Sequence, residues 1–452
     1  MLTAKRFPRQ VLFVPLLLWG FGTLGAENAM TEAAQAMTRE LAQQEGKASG
    51  WQADPKLLAE LQKQNVTWVY RENEVPPYQL PDLLRCEDGT KVATREEWER
   101  KRRPETLELF RKHVYGRSPG RLAEVRFEVV ATDPQAVKGQ ATLKRVKIIS
   151  SNSGKSFSFE AAVFIPNRRR GPVPAFLLIN NRAVSNADPS RQEADDFWPV
   201  EEILARGYAT AVFRTNDVDP DTKEDAARAK GVRGVWPDGG SEPGSANGEA
   251  WATLGAWAWG ASRVMDYLQT DPAIDAKKVA VVGHSRGGKT ALWAAAQDER
   301  FALAVSNNSG CGGAALSRRR FGETVEAINR GFPYWFCTNF RRYNGKEEEL
   351  PVDQHQLLAL LAPRAVYVTS ADADFWADQR GEFLALAHAS PVYGLYGNAA
   401  LGVDEMPPLD TPVMRGKIGY HIRRGVHNLT AYDWRQFMDF TDGLWGVQRA
   451  PG

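Results

Sequence analysis

Cysteine and histidine are scarce in this chain: 3 and 6 residues among 452. Three cysteines cannot form a disulfide scaffold; they allow one bond and leave one thiol over. Cys311 with Cys337 is the expected pair, three free buried thiols being the alternative. The histidines (His113, His284, His355, His388, His421, His427) are scattered and form no Cys/His cluster of ligand spacing, so no metal is expected. A surplus of either charge is also missing: Lys+Arg 57 against Asp+Glu 55 leaves +2, which gives no reason to expect a nucleic-acid or anionic-membrane partner. There is no internal repeat. Nor does any apolar run reach the roughly 20 residues a membrane helix needs. The run over residues 11–19 follows Lys5, Arg6 and Arg9 and leads to Gly22, Gly25 and Ala26, the order of a secretory signal. We expect a signal peptide over 1–26, cleavage near Ala26, a secreted or periplasmic protein, and no membrane contact beyond export.

What is present is a globular composition, with 43% hydrophobic, 10% aromatic and 25% charged residues. Residues 27–54 read as a flexible spacer and 55–450 as a single catalytic domain whose first part, about 55–120, is an extended N-terminal wrap. That wrap carries helical stretches over 57–64 and 95–113, is broken by Val75-Pro76-Pro77-Tyr78, and stops at Gly116. Beyond it, β-branched runs at 141–149, 157–165, 175–179, 208–213, 278–282, 301–306 and 364–370 alternate in part with amphipathic stretches such as 251–268 and 289–297. This predicts a mainly parallel α/β sheet flanked by helices in a three-layer sandwich, its first members antiparallel across the turn Ser151-Asn152-Ser153-Gly154. Residues 236–248 and 401–412 lack periodicity and read as inserted loops, lining the site or plain surface. Arg318-Arg319-Arg320 reads as a solvated loop face.

Chemistry concentrates at Gly283-His284-Ser285-Arg286-Gly287. A serine on a strained strand-to-helix turn leaves no room for side chains two positions to either side, and here an apolar strand precedes G-x-S-x-G and a helix follows. Ser285 is the candidate nucleophile of an α/β-hydrolase fold, with the Arg286 amide as an oxyanion donor. In that fold the acid and then the histidine follow the serine in the chain. His427 lies on a strand-to-helix loop; His421 falls inside the strand, and His284 is too near Ser285 in sequence to reach its hydroxyl from the far side. Asp374, Asp372 and Asp378 all follow the strand at 364–370 closely enough to supply the acid. Lys289, one helical turn after Ser285, together with Arg286 sets two cations beside an acyl site, which suits a sugar acid better than a lipid.

With Gly283-His284-Ser285-Arg286-Gly287-Gly288-Lys289 in the form G-x-S-R-x-G-K, the chain resembles the glucuronoyl esterases of carbohydrate esterase family 15. Asn308-Ser309-Gly310-Cys311-Gly312-Gly313, Arg319-Arg320-Phe321-Gly322-Glu323-Thr324, Phe332-Pro333-Tyr334-Trp335-Phe336, Asp374-Phe375-Trp376-Ala377-Asp378 and His427-Asn428-Leu429-Thr430 are similar to the bacterial branch, over about residues 115–439. The resemblance implies a serine-type carboxylic ester hydrolase of the 4-O-methyl-glucuronoyl methylesterase type. It would act without a cofactor, as a monomer, on glucuronoxylan or lignin–carbohydrate esters. It implies Ser285 as nucleophile, His427 as base, the Arg286 guanidinium as oxyanion stabiliser, and Lys289, Glu323 and Trp376 as partners of the sugar hydroxyls. One position departs from the pattern: Asn308 stands where many members carry the catalytic Glu, while Asp374 matches the place that others use. The competing expectations are another serine hydrolase, such as an acetyl xylan esterase or a prolyl-oligopeptidase-like peptidase, and a catalytically weak glucuronoxylan-binding relative.

Overall fold

A ten-stranded sheet runs through the protein in the order β1-β2-β3-β5-β4-β6-β7-β8-β10-β9. The strands are β1 (Glu124–Gln135), β2 (Ala141–Asn152), β3 (Lys155–Pro166), β4 (Val173–Asn180), β5 (Ala209–Arg214), β6 (Ile274–His284), β7 (Leu303–Asn307), β8 (Ala365–Ala371), β9 (Val413–Arg415) and β10 (Ile418–Arg423). This computed structural model describes residues 53, 55–64, 68–120, 122, 124–239 and 248–447. The expected signal peptide, nearly all of the spacer and residues 240–247 of the first inserted loop lie outside the described residues.

Strands β5, β4, β6, β7, β8 and β10 are parallel to their neighbours in that run, whereas β1, β2 and β3 form an antiparallel flap joined to β5, and β9 closes the far edge antiparallel to β10. The β2–β3 hairpin turns through Ser153 (φ 51) and Gly154 (φ 74), two consecutive left-handed residues, the form whose twist matches paired strands. Along the central strands the two faces are buried in different cores. Ala175, Leu177 and Ile179 of β4 and Val279 and Val281 of β6 face one core; Phe176, Leu178, Ala280 and Val282 face the other. That is why these strands read as unbroken apolar runs, and helices Thr253–Leu268, Arg286–Gln297 and Gln379–Leu395 cover one face while Ala431–Trp445 covers the other. The mainly parallel, three-layered α/β-hydrolase architecture read from the sequence is the architecture observed.

The wrap begins with helix Pro55–Gln64. A capping box between Thr94 and Glu97 then opens a helix that continues through Arg103–Phe110 and ends at Gly116 (φ 82), where a Cβ would fall 2.5 Å from the Ala250 carbonyl oxygen. Tyr115, just before that stop, stacks on Trp293 of the Arg286–Gln297 helix with ring centroids 4.5 Å apart. A smaller apolar cluster joins Leu58 and Tyr70 of the wrap to Phe321 and Phe375.

Two expectations need correction. Cys311 and Cys337 are not bonded: all three cysteines are buried free thiols. The Phe336 ring fills the space against Gly312 between the two segments; Cys337 turns to the Lys112 carbonyl, while Cys311 lies among Lys289 and Glu323. The arginine run is not solvated either. Arg318 is buried on the carbonyls of Leu350 and Val352, and Arg319 on Asp378. Strand β1, on which the sequence reading made no statement, forms although most of its residues are exposed, since its partner β2 supplies its hydrogen bonds.

Alkylation of the denatured, unreduced protein is therefore expected to label three thiols per chain, and reductant should leave the thermal midpoint where it was. Labels at two of them only after reduction would restore the disulfide.

Candidate active site

The β6 strand ends at His284 and the next helix starts at Arg286, so Ser285 is the whole turn, at φ 57 and ψ −127. Backbone of this kind is costly for a residue with a side chain, and the surroundings must hold it. They do so by leaving no space: a Cβ on Gly283 would lie 1.9 Å from the Gly287 carbonyl oxygen, and one on Gly287 would lie 2.8 Å from Asn181 Oδ1. The Ser285 amide donates to the Asn307 carbonyl at 2.8 Å, which ties the turn to the end of β7.

His284 is buried directly beneath the turn. Arg182 Nη2 is a donor only and lies 2.7 Å from His284 Nε2, so Nε2 accepts and Nδ1–H donates to Asn307 Oδ1 at 2.6 Å. Burial, with His427 and Arg182 nearby, holds the ring neutral, well below the ordinary imidazole range. It packs and relays hydrogen bonds, and its centroid is 4.4 Å from that of His427.

His427 stands on the loop between β10 and the Ala431–Trp445 helix, with its Nδ1 2.5 Å from Asp374 Oδ2. The same carboxylate oxygen accepts from Asn308 Nδ2 at 2.9 Å. Burial pushes the Asp374 carboxyl up, but bound His427 and the Asn308 amide outweigh it and hold the group below its usual value. Asp374 Oδ2 fixes Nδ1 as the protonated nitrogen, so Nε2 is the basic one. The other candidates have different work. Asp372 Oδ1 accepts the Gly425 amide at 2.7 Å and pins the histidine loop; Asp378 caps the Gln379–Leu395 helix and pairs with Arg319; His421 lies buried between Tyr367 and Asp433. Arg423, not singled out from sequence, is buried, pairs with Asp433 at 2.8 Å, and donates to the carbonyls of Val426 and Asn428 on either side of His427.

Lys289 is buried one turn after Ser285, its ammonium donating to the Ser309 carbonyl. Burial lowers its pKa against the opposing pull of Glu323, and burial raises that of Glu323 against Lys289 and a hydrogen bond from Trp376. The structure thus brings Lys289, Glu323 and Trp376 into one group, with the Trp376 ring half exposed. The loop carrying Asn308 is itself anchored by Glu382, which accepts the amides of Ser309 and Gly310 at 2.7 and 2.9 Å. Desolvation pushes that carboxyl up to about 8.

Arg286 Nε forms an ion pair with Asp221 Oδ2 at 2.7 Å, and its guanidinium lies 5.5 Å over the Trp335 ring. Asp221 Oδ1 accepts from Tyr334 Oη and Trp335 Nε1, so one carboxylate organises both the cation and the rings beside it. Asp221 was not singled out from sequence, because it sits in the irregular stretch after β5, far from every motif. Among the described residues no group of three or more His, Cys, Asp and Glu side chains is arranged to hold a metal ion.

Comparison with known proteins gives this geometry its context. The family model for fungal glucuronyl esterases matches residues 148–397. A carbohydrate esterase from an unknown prokaryotic organism is 40% identical over 426 residues, 87% of this chain and 94% of the relative. A 4-O-methyl-glucuronoyl methylesterase of Schizophyllum commune is 31% identical over 349 residues, 72% of this chain and 74% of the relative. The solved glucuronoyl esterase from Solibacter usitatus superposes with a TM-score of 0.77 at 39% identity, covering 83% of this chain and 100% of that one. With the elbow, the late-strand carboxylate and the histidine loop in one α/β-hydrolase framework, the chain belongs to the glucuronoyl esterase family, carbohydrate esterase family 15.

Proposed function

We propose that this protein hydrolyses esters of glucuronic acid, as in the links between 4-O-methylglucuronic acid branches of xylan and lignin alcohols, with Ser285, His427 and Asp374 as its catalytic triad. The observation that carries the triad is the 2.5 Å contact of His427 Nδ1 with Asp374 beside a serine held at φ 57. His427 Nε2 takes the Ser285 proton as Oγ adds to the ester carbonyl, and the carbonyl electrons collect on oxygen. The tetrahedral intermediate collapses with loss of the alcohol, protonated by His427; water, deprotonated by the same nitrogen, then releases the uronic acid and restores Ser285.

The developing oxyanion meets the Arg286 amide, at a helix position with no acceptor of its own, and the Arg286 guanidinium. In this fold the loop after the strand next to the elbow strand ordinarily offers a second N–H. Here the Arg182 amide of that loop donates to Asn180 Oδ1 at 3.0 Å, which supports giving the second role to the guanidinium, steered by Asp221. Lys289, Glu323 and Trp376 are the uronate's hydroxyl partners in this reading: a buried cation and carboxylate with few protein partners suit a ligand dense in hydroxyls, not an acyl chain. Asn308 does not cripple such a triad, because its amide donates to Asp374 and leaves the charge on that carboxylate. We further infer an exported enzyme that acts as a monomer, with one catalytic domain over residues 55–450. No helix among the described residues is long and apolar enough to cross a membrane.

Purified protein is expected to hydrolyse benzyl glucuronate in preference to acetylated xylan and p-nitrophenyl acetate, and Ser285→Ala to abolish that turnover. A normal rate in the variant would remove Ser285 from the mechanism. Asp374→Asn is expected to lower kcat by about 10³–10⁴-fold through loss of the imidazolium's counter-charge, and Asn308→Ala by less than about tenfold, since only one hydrogen bond goes. The reverse order would move the acid's role away from Asp374. Asp221→Asn retains an acceptor for Tyr334 and Trp335 but removes the pairing charge; kcat should fall about tenfold, less than the loss of an oxyanion donor itself, with the thermal midpoint little changed. An unchanged kcat would show that Arg286 needs no steering.

A further inference from the structure

The wrap reaches the site through residues 68–72. Trp68 meets Trp376 edge to face, with ring centroids 4.9 Å apart and planes at 81°. The next residue, Val69, pairs with Phe321 in a parallel bridge and accepts the Gly322 amide at 2.8 Å. Tyr70 then packs edge-on against Phe321 at 6.2 Å, within the small cluster that also holds Leu58 and Phe375. Glu72 accepts from Arg319 Nη2 at 2.7 Å, and Arg319 Nε pairs with Asp378 at 3.0 Å. Residues 68–72 are thus tied to both the loop bearing Glu323 and the loop bearing Asp374 and Trp376, and Trp68 is held by its neighbours on either side of those loops.

The two indoles form a right-angled corner. The Trp376 carries its polar edge to the Glu323 carboxylate, while its ring remains 50% exposed, one of the most exposed large apolar side chains among the described residues. An aromatic face kept open beside buried polar groups suits the C–H face of a pyranose, which is apolar, while its hydroxyl rim is not. The direction of the substrate selects which sugar. The uronate's ester carbon must sit at Ser285, and its anomeric carbon is reached from that carbon through C5 and the ring oxygen, so the glycosidic bond and the ester bond leave the sugar at different edges. The chain to which the uronate is glycosidically joined therefore leaves by a different edge of the ring from the ester alcohol, and the open aromatic corner beside Glu323 is the surface suited to it.

We propose that Trp68 and Trp376 together form a subsite for the sugar to which the glucuronic acid is attached, so that the N-terminal wrap contributes a substrate-binding residue of its own. This rests on the reading of Lys289 and Glu323 as partners of the uronate. The alcohol half of the ester is joined to the carbon held at Ser285, not to the sugar that this corner would hold. A ligand consisting of the uronate alone fills only the polar pocket; one carrying pentose units reaches the corner as well.

The test compares two benzyl esters, one of glucuronic acid alone and one of an aldouronic acid bearing xylose units, in the wild type, Trp68→Ala and Trp68→Phe. The ratio of KM for the extended ester to KM for benzyl glucuronate is expected to rise about three- to tenfold in Trp68→Ala, with the corresponding kcat ratio unmoved and most of the change restored by Trp68→Phe. Equal changes for both esters would make Trp68 a structural prop and overturn the subsite. So would an effect that follows methyl against benzyl as the leaving alcohol, which would assign the corner to the aryl group. If the wild type turned over neither ester, the esterase reading would fail separately. The subsite is still measured by calorimetric binding of the free aldouronic acid to wild type and Trp68→Ala, where equal affinities would overturn it.

Discussion

The site depends on a steric fact: a residue with a side chain holds a backbone conformation that only its neighbours' lack of side chains permits. Ser285 at φ 57 and ψ −127 is stable because Gly283 and Gly287 meet where any Cβ would overlap backbone. The cost is met by the two cores on either side of the sheet, which fix β6 and the Arg286–Gln297 helix too firmly for the turn to relax. Everything else in the pocket is placed relative to this turn. The Asn307 carbonyl holds it from β7, His284 supports it from below, and Lys289 is carried on its first helical turn.

Around the turn, charges occur as matched pairs with distinct partners. Asp374 faces His427, Asp221 faces Arg286, Asp378 faces Arg319, and Asp433 faces Arg423. Such pairing outweighs burial at Asp374 and Asp433, whose carboxyls are held below the usual range, while at Asp378 burial prevails over Arg319. Lys289 and Glu323 differ: burial shifts each toward its neutral form, and each is opposed mainly by the other. That condition is the physical basis of the proposed preference for a hydroxylated ligand over an acyl chain.

What the sequence discloses follows from how local the physics is. The elbow was legible because its constraint acts within five residues, Gly283 to Gly287. The parallel strands were legible because burial on both faces writes an unbroken apolar run. The histidine loop could be placed since Thr430 and the helix after it mark where β10 has ended. Asp221, Arg423 and Trp68 were not legible, for their roles come from contacts with Arg286, the His427 loop and Trp376, each far away in the chain. The arginine run misled for the same reason. Polar residues in a row look solvated, yet Arg318 and Arg319 are buried because the 348–352 carbonyls and Asp378 come to meet them. The cysteines misled by sequence proximity, which says nothing about which way two thiols point.

The proposed placement of the acid after β8 has a structural basis in the sheet itself. Strands β7 and β8 are adjacent and in parallel register, Asn307 opposite Thr369, and the Asn308 amide donates to the Thr369 carbonyl at 2.8 Å. A side chain at 308 and one on the loop after β8 therefore converge on the same point, and Asn308 Nδ2 and His427 Nδ1 both address Asp374 Oδ2. Two carboxylates so close would repel, and one would hold a proton that the imidazolium needs its counter-charge not to have. A neutral amide at 308 leaves Asp374 as the single carboxylate facing the histidine. In the proposed triad Asn308 is thus a hydrogen-bond donor that orients the acid, not the remnant of a lost one.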